Sequence, residues 1–122
     1  MIETFEIRNA QIESTMLGYE DHGILTCMLH TRSAGCGQGF GGFRLDMYDK
    51  KKKKAVGHAF GSAFIGAVLK TVGVEKWEDL NGKYIRVEAS FCSVRRIGHI
   101  TEDMWFDPKE LAKEYFGDEV ES

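Results

Sequence analysis

The chain has one proline in 122 residues, three cysteines, and no long run of apolar side chains. A spanning helix needs about 20 consecutive apolar residues, so no membrane partner is expected. Cys27, Cys36 and Cys92 are odd in number, widely spaced and never in a CxxC pair, which argues against a disulfide framework. Free thiols in a reducing compartment are the expectation. The opening run Met1-Ile2-Glu3-Thr4-Phe5-Glu6 has neither the basic nor the apolar region of a secretory signal, so a cytoplasmic protein is expected. His22, His30, His58 and His99 stand at no metal-ligand spacing, and no metal site is expected.

A catalytic set is also missing. Asp21-His22 has the form of a base and its orienting acid, but no serine or cysteine nucleophile accompanies it. Asp21 suits a turn better, through a side-chain bond to backbone. Cys36 lies between glycines with no neighbouring activator. No catalytic residue, no cofactor and no enzymatic activity are therefore expected. The formal net charge of −3 argues against broad electrostatic binding to nucleic acid, and no DNA partner is expected.

The segment Gly35-Cys36-Gly37-Gln38-Gly39-Phe40-Gly41-Gly42 dominates what is present, followed by Phe43-Arg44 and five lysines at 50–54. Glycines leave the backbone open to close approach by a ligand. Phe40 and Phe43 offer aromatic faces, and the lysines offer charge for phosphate. Gly37 to Gly42 satisfies G-x-G-x-x-G, but alternating residues follow it rather than a helix, so it is not a dinucleotide fingerprint. Arg86, Arg95 and Arg96 flank Phe91, and arginine forks match phosphate and stack on bases. The residues read as ligand-binding are Phe40, Gly41, Phe43, Arg86, Phe91, Arg95 and Arg96. Each also has a plain structural reading: a glycine hairpin, a solvated lysine loop, a charged sheet face.

The pattern predicts one α+β domain over residues 1–122. Phe5 to Arg8 and Ala10 to Glu13 alternate as strands, Gly18 to Gly23 reads as a hairpin loop, and Ile24 to His30 is rich in β formers. The glycine run is expected to link that strand to another at Phe43 to Tyr48. Val56, Phe60, Phe64, Val68 and Val72 recur every four residues and predict a main helix at about 53–72, ended by Gly73. Its glycines predict close approach to a sheet or a partner helix. Tyr84 to Ala89 and Arg96 to Ile100 read as a second strand pair. Lys109 to Phe116 reads as a short C-terminal helix, with a frayed acidic end at about 117–122.

Several segments together resemble a widespread group of small bacteriophage proteins. They are Ile7-Arg8-Asn9-Ala10, Leu17-Gly18-Tyr19-Glu20-Asp21-His22-Gly23-Ile24, the Gly37 to Gly42 run, Val72-Gly73-Val74-Glu75-Lys76-Trp77-Glu78-Asp79-Leu80, Tyr84-Ile85-Arg86-Val87 and Ile97-Gly98-His99-Ile100. Within that group the chain resembles the first-described Thoeris anti-defence family of phage signal sponges, from about Ile7 to Phe106. The resemblance implies a protein that sequesters immune signalling nucleotides without degrading them. Those signals are cyclic ADP-ribose isomers made by TIR enzymes and, in some members, cyclic oligonucleotides made by cGAS-like enzymes. It further implies a homo-oligomer, a dimer or higher assembly up to a hexamer, with pockets between subunits. Ser33-Ala34-Gly35-Cys36 and the lysine run read as features peculiar to this chain. The alternative function is an inhibitor that binds a protein and no nucleotide.

Overall fold

Alternation near the N-terminus produces one long strand where two were expected. The computed structural model describes residues 4–20, 23–91 and 93–117; Asp21-His22, Cys92 and the acidic end at 118–122 lie outside the described residues. Strand β1 (Glu6–Glu20) pairs antiparallel with β2 (Ile24–Ser33), with a bulge between Ile12 and Ser14. The glycine run is itself a strand, β3 (Cys36–Arg44), and not a linker. The reversal is made by Ala34 and Gly35, both at left-handed φ of 50° and 79°, so the glycines fall past the turn. Pairing to β2 overrides their weak strand propensity. At Gly41 only glycine fits: φ is 117°, and a Cβ would lie 2.5 Å from the Cys27 carbonyl oxygen.

The strand expected at Phe43 to Tyr48 breaks at Leu45. Beyond it, β4 (Asp46–Asp49) pairs with β5 (Lys54–Gly57) in a separate two-stranded ribbon. The lysine run is therefore the ribbon's tip and not the first turn of the helix. Helix α1 (Ala59–Val72) starts six residues later than the expected 53. His58 is extended and caps it, its Nδ1 accepting the Gly61 N–H at 3.1 Å. Gly73 ends it in the left-handed conformation, as its position predicts.

After a short 3₁₀ turn (Trp77–Asp79) come β6 (Tyr84–Ala89), β7 (Val94–Gly98), β8 (Trp105–Phe106) and helix α2 (Pro108–Phe116). The six-stranded antiparallel sheet has the order β3-β2-β1-β6-β7-β8. Three strands separate β3 from β7, yet the two touch, so the sheet curls back on itself. The apolar stripe of α1 fills the concave side, as the four-residue repeat predicts. Phe64 is buried among Phe40, Phe43, Phe60 and Phe106, with ring centroids 5.1–6.4 Å away. Ile12, Leu29, Val68, Ile85, Val87 and Ile97 complete the centre.

The expectation of close approach holds at one helix glycine and not at another. A Cβ on Gly61 would meet the Leu45 carbonyl oxygen at 2.1 Å, whereas a Cβ on Gly66 would meet nothing within 4 Å. Gly61→Ala should therefore destabilise the fold, because backbone must move. Gly66→Ala should stabilise it by up to about 1 kcal/mol, the helix-propensity difference. Urea unfolding of both variants checks the opposite signs.

Candidate functional site

The curl leaves a seam where edge strand β3 faces the start of β7. One polar tie spans the seam. Arg8 on β1 donates from Nη2 to Gln38 Oε1 at 2.9 Å, and Gln38 Nε2 donates to the Ser90 carbonyl at 2.8 Å. Alternation along β3 turns Gln38 and Phe40 inward and leaves Gly39 on the other face. Beside this tie lies a cleft of about 480 Å³ lined by Phe5, Gly39, Phe40, Gly41, Phe43, Ser93, Val94, Arg95, Pro108 and Lys109. A shallower recess of about 340 Å³ adjoins it, sharing Arg95 and Lys109 and adding Glu88, Arg96 and Asp107.

Each wall has a local cause. Glycine at 39 and 41 leaves bare backbone on the β3 wall beside the Phe40 and Phe43 side chains. Asp107 caps α2, its Oδ1 accepting the Lys109 N–H at 3.0 Å, with Pro108 in the first turn. That cap places Lys109 at the cleft mouth. Arg95 lies with its guanidinium carbon 4.1 Å from the centroid of the Phe5 ring. Across the two recesses three cations (Arg95, Arg96, Lys109) face two carboxylates (Glu88, Asp107), so the seam carries an excess positive charge.

Glu88 organises the arginines. Arg96 grips it with Nε and Nη2 at 3.1 and 3.0 Å, and Arg95 Nε donates to the same carboxylate. Those hydrogen bonds, from Arg95 first and then Arg96, hold the Glu88 carboxyl below its ordinary range. Arg96 and Arg86 both lie over the Trp105 ring, 4.5 and 4.9 Å from its centroid. Trp105 comes that near the sheet because residue 98 is glycine; a Cβ there would be 2.8 Å from the indole.

Of the seven residues read as ligand-binding, four meet at the cleft: Phe40, Gly41, Phe43 and Arg95. Arg96 lines the adjoining recess. Three of the seven are placed differently from that reading. Phe40 is 2% exposed and packs on Phe64 and Phe106, so it is a core floor and not a free stacking face. Arg86 lines neither recess; it donates to the His99 carbonyl at 2.8 Å and the Glu102 carbonyl at 2.7 Å, fixing the loop that carries Trp105. Phe91 is 94% exposed at the β6–β7 turn, outside both recesses.

Sequence reasoning missed Phe5, Ser93, Val94 and Lys109. Lys109 had a usable signal, since Asp107-Pro108-Lys109 has the cap and first-turn proline of a helix start. The cysteines divide by burial: Cys27 is buried and its thiol is pushed up to about 12, whereas Cys36 is exposed. Among the described residues no three His, Cys, Asp or Glu side chains gather as a metal site, and no helix is long and apolar enough to cross a membrane.

The Glu88 anchor has a pH signature. A carboxyl held low in the folded chain stabilises it above the unfolded value, and that stabilisation is lost as pH falls from about 4.3. Glu88→Gln should lower Tm at neutral pH and flatten the acid side of the Tm–pH curve. An unaltered acid limb would show that the anchor is energetically silent. No protein-family model, curated protein or solved structure matches the chain, so the arrangement of these side chains carries the functional reading.

Proposed function

We propose that this chain binds and sequesters a phosphate-bearing signalling nucleotide without degrading it, as a cytoplasmic phage anti-defence protein. The observation that carries the reading is the convergence, in one cleft, of bare glycine backbone, Phe43 beside the core, and the cations Arg95 and Lys109. Open backbone and cations suit a pyrophosphate or phosphodiester, and an apolar wall suits a base. The ligand class, cyclic ADP-ribose isomers or cyclic oligonucleotides, comes from the resemblance described above. The mechanism is mass action: the protein must bind the signal more tightly than the host effector does, and be at least as abundant.

The proposal includes self-association. β6 accompanies β1 only as far as Gln11↔Tyr84, and Ile12 exchanges bonds with Gly82 and Lys83. Among the described residues, nothing pairs with that edge of β1 from Ser14 to Glu20. Leu17 and Tyr19 stand exposed along it, with no lysine or proline to guard it. A second copy running antiparallel would continue the sheet. Leu17→Lys should shift the protein toward monomer in sedimentation, while unchanged mass would place any assembly elsewhere.

Thermal-shift measurements against cyclic ADP-ribose isomers, cyclic dinucleotides and cyclic trinucleotides test the ligand. A rise with one class and none with AMP is expected. Lys109→Glu should weaken that binding roughly tenfold or more, about 1.4 kcal/mol, with little loss of Tm. The ligand should be recovered intact after heat denaturation; a degraded ligand would mark an enzyme instead. No shift with any nucleotide overturns the reading and favours a protein partner, which the exposed Phe91 would serve.

A further inference from the structure

The β4–β5 ribbon takes no part in the cleft, and its chemistry is different. Its strands pair from Asp46↔Gly57 to Asp49↔Lys54, apart from the main sheet. The tip is a built turn. Asp49 Oδ1 accepts the N–H groups of Lys51 and Lys52 at 2.9 and 3.1 Å, and Lys53 is left-handed at φ 55°. All the lysines at 50–54 are exposed, and among the described residues none is in an ion pair. The two ribbon carboxylates are committed: Asp49 to the turn, and Asp46 to Arg44 and the Leu25 N–H.

Charge is therefore segregated. Residues 46–57 hold five lysines and two aspartates, a net +3, in a chain whose total is −3; the remainder carries −6. Adjacent ammonium groups repel one another, and a polyanion removes that repulsion. Beside the tip Tyr48 is 54% exposed, and among the described residues no aromatic ring or cation is stacked on it. Its cross-strand partner is Ala55, too small to cover a ring.

We propose that this ribbon is a docking arm for single-stranded polynucleotide, with the lysines on phosphates and Tyr48 stacked on a base. Clustered cations beside an open aromatic match the alternation of phosphate and unstacked base along a single strand. A duplex would keep its bases from Tyr48. A membrane surface would call for a wider apolar stripe than one tyrosine and Met47. Lysines act on phosphate as point charges, so the contact is sequence-tolerant. The overall negative charge limits it to this arm and to modest salt.

The test is anisotropy of short labelled oligo(U) and oligo(dT) with the full chain over a salt series. The logarithm of the binding constant should fall with the logarithm of salt by about 0.7 for each phosphate neutralised. Lys51→Glu with Lys52→Glu should abolish binding; it keeps the two backbone N–H groups that form the turn. Tyr48→Ala should weaken binding roughly tenfold, and Tyr48→Phe should restore it, since stacking needs only the ring. None of these substitutions should alter the thermal shift given by a cleft nucleotide. Binding to either oligonucleotide with these losses upholds the proposal. No binding at low salt, binding indifferent to the lysine substitutions, or binding only to phosphatidylserine vesicles overturns it.

Discussion

The tie formed by Gln38 is the contact on which the rest of the molecule depends. A six-stranded antiparallel sheet twists, and this one must also curl far enough to wrap one apolar helix. Curling brings β3 round to β7, where no ladder of hydrogen bonds joins them. Gln38 crosses that gap with its side-chain amide, accepting from Arg8 on one side and donating to Ser90 on the other. The tie is incomplete, since Arg8 Nε is buried with no hydrogen-bond partner among the described residues. A buried donor left unpaired costs about 1–3 kcal/mol. The aromatic cluster around Phe64, lying against this seam, must outweigh that loss. The cleft is the part of the seam that neither the tie nor the cluster fills.

Arginine serves two purposes here, and position in the sheet separates them. Arg86 and Arg96 alternate with buried residues on neighbouring strands, so both reach the same face and meet Trp105. Their charges are spent on carbonyl oxygens and on Glu88. Arg95, next to Arg96 in the chain, also donates to Glu88, but it lies over Phe5 instead of Trp105 and lines the cleft. A bulge between Glu88 and Ala89 lies opposite this stretch and breaks the simple alternation.

Much of the fold was legible because its signals are local. The four-residue repeat from Phe60 to Val72 marked the main helix, and Gly73 marked its end. Alternation marked β1 and β6, and a run of β formers marked β2. The glycine run misled because composition favours a loop, whereas the adjacent turn at Ala34-Gly35 and a waiting partner strand made it β3. The lysines misled similarly: they sit next to the helix stripe, but His58, which starts the helix, lies beyond a hairpin. The site was half legible. Phe43, Gly41 and Arg95 were found from chemistry alone, but Phe5 and Lys109 join them only through the curl, and no local pattern encodes that.

The central pairing of the sheet sets a timetable for folding. β1 meets β2, and β2 meets β3, through near neighbours, but Glu6 pairs with Ala89 and Gln11 with Tyr84. Such distant partners give high contact order and slow closure. On a ribosome adding about 5–20 residues per second, β1 waits roughly 4–15 s for β6 to emerge. During that interval the inner edge of β1 is bare. The residues along it include Glu6, Arg8, Gln11 and Glu13, charged or polar groups of the kind that keep an open strand edge from joining the wrong neighbour. The same half of β1 that ends in the middle of the sheet is thus dressed for its time outside it.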